Sequence, residues 1–201
     1  MRLSVYFVTP DGAEDALVLA ALRGGVSVVQ LRDKTASDAA MVAQARRLKP
    51  LCTAAGVPLI VNDRLAVALA AGADGLHVGQ GDGDVAAMRA ALGPGRLLGL
   101  SIEAEAQLAA IPPGVVDYVG IGPVRATATK PDHAAPLGMA GLAAAVARSP
   151  VPAVAIGGVG LADVAALKAM GCAGLAVVSA ISGAADPKAA ARALADAWGA
   201  A

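Results

Sequence analysis

Two carboxylates, Asp63 and Asp82, stand just past short apolar runs in this 201-residue chain, in the contexts Leu-Ile-Val-Asn62-Asp63-Arg64 and His77-Val-Gly79-Gln80-Gly-Asp82. Aspartates at two neighbouring strand ends suit Mg²⁺, which takes one or two oxygens from protein and the rest from water and substrate phosphate. Arg32 and Lys34 follow another apolar run, and Lys130 lies in a loop after a further one. With a metal ion, three such cations supply enough positive charge to neutralise a diphosphate. Farther on, Gly157-Gly158 and Val178-Ser179 end two later runs. There, backbone N–H groups and a helix N-terminus would hold a monophosphate. Two anion sites imply two phosphorylated substrates. A metal-bound diphosphate is a ready leaving group, so the set points to transfer of an organic group with loss of pyrophosphate.

Each residue also has a plainer explanation. Asp63, Asp82 and Ser101 precede helix-like segments and would serve as N-caps. Arg32 and Lys34 would be solvated loop charges, Thr127 and Thr129 turn residues, and Gly157-Gly158 a tight turn. His77, inside an apolar run, reads as a hydrogen-bonded core histidine rather than a catalyst. The chemical reading rests on all of them reaching one face.

The pattern of the chain requires that meeting. Short runs of β-favouring residues at 3–8, 26–31, 59–61, 75–78, 97–100, 118–121, 153–156 and 175–178 read as strands buried on both faces. Segments of helical spacing alternate with them, at about 13–23, from Ser37 or Asp38 to before Gly56, 65–71, up to about 92, 104–111, 139–148, 162–170 and after Asp186-Pro187. Eight strand–helix pairs predict a parallel α/β fold, a (β/α)₈ TIM barrel forming a single domain over residues 1–201, with a doubly wound open sheet as the competing topology. In both, the carboxyl ends of the strands share the face that carries the site.

Composition agrees. Hydrophobic residues make up 57% of the chain and aromatics 2%, so the core must be built from small and branched aliphatic side chains. The longest charge-free stretch, between Lys168 and Asp186, is broken by Gly171, Gly174 and Gly183, and no stretch offers the roughly 18–20 residues of a spanning helix. The first ten residues do not read as a signal peptide, so a cytoplasmic location is expected. Lys plus Arg and Asp plus Glu both number 16, without a basic block. This argues against nucleic acid and for small-molecule partners. Cys52 and Cys172 have no partner spacing and read as buried thiols. The oligomeric state is not encoded in any of these patterns.

Six motifs in register resemble the thiamine-phosphate synthase family. They are Gln30-Leu-Arg32-Asp-Lys34, Asn62-Asp63-Arg64, His77-Val-Gly79-Gln80-Gly-Asp82, Gly122-Pro123 followed by Thr127-Ala-Thr129-Lys130, Ala155-Ile-Gly157-Gly158, and Val178-Ser179-Ala-Ile181. The resemblance implies a Mg²⁺-dependent (β/α)₈ enzyme joining hydroxymethylpyrimidine diphosphate to thiazole phosphate, with thiamine phosphate and pyrophosphate as products. By motif, Gln30, Arg32, Lys34, Asn62, Ser101 and Lys130 would contact the pyrimidine diphosphate, with Arg32, Lys34 and Lys130 acting in catalysis. Asp63 and Asp82 would ligate Mg²⁺. Thr127, Thr129, Gly158, Val178 and Ser179 would hold the thiazole phosphate.

The resemblance has local departures. Ser101 is followed by Ile102-Glu103 where a histidine is common, Ala126 stands where proline is common, and Thr9-Pro10 precedes Asp11 where the family has its Asp slightly earlier. The sister family of thiazole tautomerases and a non-catalytic phosphate-binding barrel are the competing functions. Neither has a use for Asp63, Asp82, Arg32 and Lys130 together.

Overall fold

The computed structural model describes residues 1–127 and 134–199. Its eight strands pair in parallel in the order β1 to β8, and β8 returns to β1 to close a barrel. The elements are β1 (Val5–Val8), α1 (Asp15–Gly24), β2 (Val28–Leu31), α2 (Asp38–Ala54), β3 (Leu59–Asn62), α3 (Leu65–Ala71), β4 (Gly75–Val78) and α4 (Val85–Leu92), then β5 (Leu97–Ile102), β6 (Tyr118–Ile121), α5 (Gly138–Arg148), β7 (Ala153–Ile156), α6 (Val164–Ala169), β8 (Gly174–Val177), α7 (Ser179–Ser182) and α8 (Pro187–Gly199). Among the described residues, no helix is long and apolar enough to cross a membrane.

The expected elements are present, with local corrections. Between β5 and β6 there is a 3₁₀ helix, Glu105–Ala110, where an α-helix was expected. The segment ends against Pro112-Pro113, and the Gln107 side chain accepts from the Glu103 and Ala104 N–H groups, at 2.7 and 3.1 Å, tightening its start. β5 runs to Ile102, so Ser101 lies inside a strand and is not an N-cap. Ser37 does cap α2, accepting from Ala40 N–H, whereas α4 is capped by Asp84 and not by Asp82. The four-residue α7 after β8 was not foreseen, being too short to give a helical period.

Strand alternation divides the core in two. Val5, Phe7, Val29, Leu31, Leu59, Val61, Leu76 and Leu98 point outward and pack beneath the helices. Inside the barrel, Tyr6, Val8, Val28, Ile60, Tyr118, Val154 and Ala176 form a separate cluster. Removing these aliphatic surfaces from water is the principal source of stability, about 25 cal/mol per Å². The helix ring closes where α1 meets α8: a Cβ at Gly24 would lie 2.4 Å from the Ala191 Cβ, so glycine is required for that approach.

The amino-terminal end of the barrel is tied by a recurring device. Ser27, Asp74 and Asp117, each just before an even-numbered strand, accept through their side chains from the N–H groups of Val5, Leu59 and Leu98 on the preceding odd strand, at 3.0, 2.8 and 2.7 Å. Their own N–H groups return bonds to the carbonyls of the same three residues. Strand-starting groups that would lack partners are thereby satisfied in pairs.

At the opposite end, Asp33 knits the loops after β1 and β2 together. Its carboxylate accepts from Gly12 N–H, Thr35 N–H and Oγ1, and Ala36 N–H, all at 2.8–2.9 Å. Arg64 braces the same loop from β3, donating to the carbonyls of Ala36 and Asp33 at 2.7 and 3.0 Å and to Asp38 at 3.0 Å. Burial alone would raise the Asp33 pKa, but its four hydrogen bonds outweigh that and hold the carboxyl at about 2, below its ordinary 3.8. A depressed carboxylate stabilises the fold above its unfolded value, and the contribution disappears as pH falls through the folded one.

Two predictions follow from this packing. A Cβ at Gly99 would lie 2.2 Å from the Tyr118 ring and 2.4 Å from His77 Nδ1, so Gly99→Ala is expected to destabilise the barrel by about 1–3 kcal/mol in urea unfolding, the usual cost of overpacking. Asp33→Asn is expected to lower the melting temperature at pH 7, with the gap from the parent closing as pH falls from 3.8 toward about 2.

Candidate active site

A cavity of about 720 Å³ opens at the carboxyl ends of the strands and draws residues from all eight of them or the loops that follow. Gln30, Arg32, Lys34, Asn62, Asp63, Asp82, Ser101, Thr127, Gly158, Val178 and Ser179 all line it. The sequence-derived candidates within the described residues therefore meet in one place. Thr129 and Lys130 lie outside the described residues.

The acidic rim is formed by the ends of β3 and β4. Asp63 has φ +61°, a left-handed backbone seldom adopted by residues other than glycine and tolerated best by Asn and Asp. The turn is fixed by Asp63 N–H donating to the His77 carbonyl at 2.8 Å and Arg64 N–H to the Asn62 carbonyl at 2.7 Å. Asp82 is held from its own loop, accepting from Gly79 N–H at 2.6 Å. Burial raises the Asp82 pKa, the neighbouring Asp63 carboxylate adds to the rise, and the Gly79 N–H and Lys34 oppose it. Two facing carboxylates in this state are what a divalent cation relieves. No group of three or more His, Cys, Asp or Glu is gathered among the described residues, so the pair fits a hard cation completed by water and substrate oxygen. Lys34 Nζ is paired with Asp63.

Beside this pair, Arg32 is largely buried and donates to Asp11 Oδ1 at 2.9 Å, and the Lys34 N–H reaches the same oxygen at 2.8 Å. Arg32 is thus held in place and shielded from water, whereas Lys34, though paired with Asp63, remains exposed. From sequence, Asp11 and Arg64 were named only in the motif comparison and given no role, and the brace formed by Asp33 and Arg64 was not foreseen. Asp33 lies between two cations, the one signal that could have marked it.

Across the cavity, Gly157 and Gly158 have φ +89° and +66°, and added Cβ atoms would lie 2.6 Å from Pro123 and 2.8 Å from Arg125. Their carbonyls are taken up by Arg125, through its N–H at 3.0 Å and its guanidinium at 2.8 Å respectively. The same guanidinium pairs with Asp163 at 2.7 Å. Val178 immediately precedes α7, its carbonyl accepting from the Ile181 and Ser182 N–H groups at 3.1 and 2.9 Å. Glycine-rich backbone and a helix start facing a common space suit a phosphate.

The floor is neutral. Gln30 Nε2 donates to the Tyr6 hydroxyl at 2.7 Å, and the Tyr6 and Tyr118 hydroxyls are 2.7 Å apart. The Tyr118 hydroxyl is 3.1 Å from His77 Nδ1, and His77 Nε2 is 3.0 Å from Ser101 Oγ. Burial drives the His77 pKa down to about 4 despite the nearby Asp63 charge. It is therefore a neutral imidazole at pH 7, in keeping with the reading of His77 as a hydrogen-bonded core residue. Tyr6 and Tyr118 were missed from sequence. That the chain has just two tyrosines, both inside strand runs with polar tips needing partners, was the available signal. Elsewhere, burial lifts the thiols of Cys52 and Cys172 to about 11, so both are inert.

The comparisons with known proteins converge. Residues 5–181 match the family described as thiamine monophosphate synthase. The thiamine-phosphate synthase of Xanthobacter autotrophicus is 52% identical over 96% of this chain and 93% of its own length. That of a Psychrobacter species is 48% identical, with the same coverage. Among solved structures, the thiamine phosphate pyrophosphorylase of Pyrococcus furiosus superposes with a TM-score of 0.89 at 29% identity, covering 99% of this chain and 96% of that one. With its motifs gathered at one end of a closed (β/α)₈ barrel, the chain belongs to the thiamine monophosphate synthase family.

Proposed function

We propose that this protein transfers the pyrimidinylmethyl group of hydroxymethylpyrimidine diphosphate to thiazole phosphate, giving thiamine phosphate and pyrophosphate with Mg²⁺ held by Asp63 and Asp82. The observation that carries the reading is the division of one cavity into two anion-binding rims. Asp63, Asp82, Arg32 and Lys34 occupy one, and Gly157, Gly158 and the start of α7 the other. Arg32, Lys34 and Lys130 clamp the diphosphate, while Gln30, Asn62 and Ser101 orient the pyrimidine. Gly158, Val178 and Ser179 anchor the thiazole phosphate, together with Thr127 and Thr129.

The chemistry suits these groups. The bond between the pyrimidine methylene carbon and the diphosphate oxygen breaks, and the electron pair leaves with pyrophosphate. The aminopyrimidine delocalises the resulting cation, and the thiazole nitrogen lone pair closes the new C–N bond. No base is required, which agrees with a floor whose histidine is neutral and whose phenols burial keeps protonated. The cationic clamps are most effective when charge has collected on the leaving group, so they favour the transition state over intact substrate. Bound Mg²⁺ would supply Lewis-acid stabilisation of that same charge. Anchoring of the thiazole phosphate converts capture of the cation into an effectively intramolecular step.

Purified protein given both substrates and Mg²⁺ is expected to release pyrophosphate and thiamine phosphate in equal amounts, and excess chelator to abolish both. Folded protein that forms neither product with Mg²⁺ present would overturn the reading. Asp63→Asn and Asp82→Asn are expected to lower kcat by about 10²-fold or more, the scale set by loss of a charge-stabilising group, with little change in melting temperature. Asparagine is chosen at 63 because it tolerates the left-handed backbone there.

A further inference from the structure

The five-residue chain across the cavity floor carries an inference about proton direction. Its four links, Gln30 to Tyr6, Tyr6 to Tyr118, Tyr118 to His77 and His77 to Ser101, span 2.7, 2.7, 3.1 and 3.0 Å, and each link uses one hydrogen. The Gln30 amide N–H supplies the first. If Tyr118 donated to Tyr6, His77 would have to donate from Nδ1 and Ser101 to His77. The Tyr6 hydrogen would then be left over at a residue that borders the cavity but is only 2% exposed and packs among the apolar side chains of the barrel interior. If Tyr6 donates to Tyr118, the Tyr118 hydrogen, on a residue only 1% exposed, finds its acceptor in His77 Nδ1, and His77 donates from Nε2 to Ser101 Oγ. The spare hydrogen is now that of Ser101, which is half-buried and faces the cavity. A donor without an acceptor is costly when buried and harmless where ligand or water can accept it, so burial selects the second arrangement.

We propose that this chain fixes His77 as its Nε2–H tautomer and makes Ser101 a dedicated donor to an acceptor atom on the uncharged ring of the bound substrate, with Tyr6 and Tyr118 as positioning residues that act through His77. The charged groups of the cavity lie at its rim, whereas this floor is neutral, so the heteroaromatic part of a diphosphate substrate is the part that seats here. Identification of the ligand rests on the function proposed above. The direction of the hydrogen bonds does not.

The geometry explains two neighbouring features. Glycine at 99 leaves room for the Tyr118 ring and His77 Nδ1 to approach each other across β5, since a Cβ there would lie within 2.4 Å of both. Gln80 Nε2 donates to the Ser101 carbonyl at 2.7 Å, holding the backbone of the terminal donor while the chain orients its hydroxyl.

Two measurements test the proposal. In ligand-free protein with ¹⁵N-labelled histidine, His133→Gln leaves His77 as the remaining native histidine to assign, and long-range ¹H–¹⁵N correlation near pH 7 should show Nε2 protonated and Nδ1 not. Protonated Nδ1, or an averaged mixture of tautomers, would overturn the proposal irrespective of any activity. In the second, Tyr118→Phe is measured in the parent and in Ser101→Ala. Loss of the hydroxyl is expected to raise KM for hydroxymethylpyrimidine diphosphate about tenfold in the parent, the worth of one good hydrogen bond, and less than twofold where Ser101 is already absent. Equal effects in both backgrounds would mean that Tyr118 contributes packing alone, and would sink its positioning role. Failure of the parent to make thiamine phosphate would count against the proposed function while leaving the tautomer measurement decisive for the hydrogen-bond chain.

Discussion

A polar side chain inside a closed eight-stranded barrel is cut off from water below the level of the cavity, so its polar atoms must find partners among residues from other strands. That constraint shapes the lower half of the site. Tyr6, Gln30, His77, Ser101 and Tyr118 come from β1, β2, β4, β5 and β6, yet their polar tips lie within hydrogen-bonding distance in sequence. Among the described residues no buried side-chain nitrogen or oxygen is left without a partner. A network satisfied in this way is rigid, because moving one member strands its neighbours in a low-dielectric interior. The cavity floor is thus held by its own electrostatic requirements.

The rim obeys a different rule. Asp63, Asp82, Lys34, Arg32 and Asp11 reach solvent, and their arrangement depends on charge balance. Asp11 and Asp63 occupy the two cations in the free protein and keep them from turning away into water. Under the proposed function, an incoming diphosphate would bring its own negative charge and take over those cations, leaving Asp63 and Asp82 to a divalent ion. The pairs therefore keep the rim ordered between turnovers at modest cost, since exposed ion pairs are weak and easily exchanged. The brace beneath them is stronger: Asp33 is buried and hydrogen-bonded, and Arg64 holds the carbonyls of Asp33 itself and of Ala36.

The sequence was most legible where a run of β-favouring residues stops abruptly. Asn62-Asp63, Gly157-Gly158 and Val178-Ser179 end such runs, and all reach the cavity. Inward and outward parity was not legible, because strands covered on both faces lack the polar alternation that would reveal it. Hence Tyr6 and Tyr118 went unremarked, and the plainer explanation of Ser101 was a helix cap, whereas it is an inward strand residue. The choice between Asp82 and Asp84 as the cap of α4 was likewise hidden: both are aspartates flanked by glycine or apolar residues, and only the three-dimensional loop brings Asp82 back onto the Gly79 N–H. Asp33 was obscured by standing between the more conspicuous Arg32 and Lys34.

The seam between β1 and β8 has a kinetic meaning. Seven of the eight strand pairings join neighbours in the chain, whereas Val5 meets Leu175 across nearly its whole length. Local pairings close short loops and form readily, while the seam demands the largest loss of chain entropy and is rewarded only when α1 also docks on α8. The cavity takes Tyr6 from β1, and Val178 and Ser179 from beyond β8. A chain with seven strand pairs formed but the seam open would carry most of the fold and lack both halves of a working site. A ligand that needs groups from both ends of the chain would bind the closed barrel alone, and such binding would draw the population toward closure and protect both ends of the chain from opening.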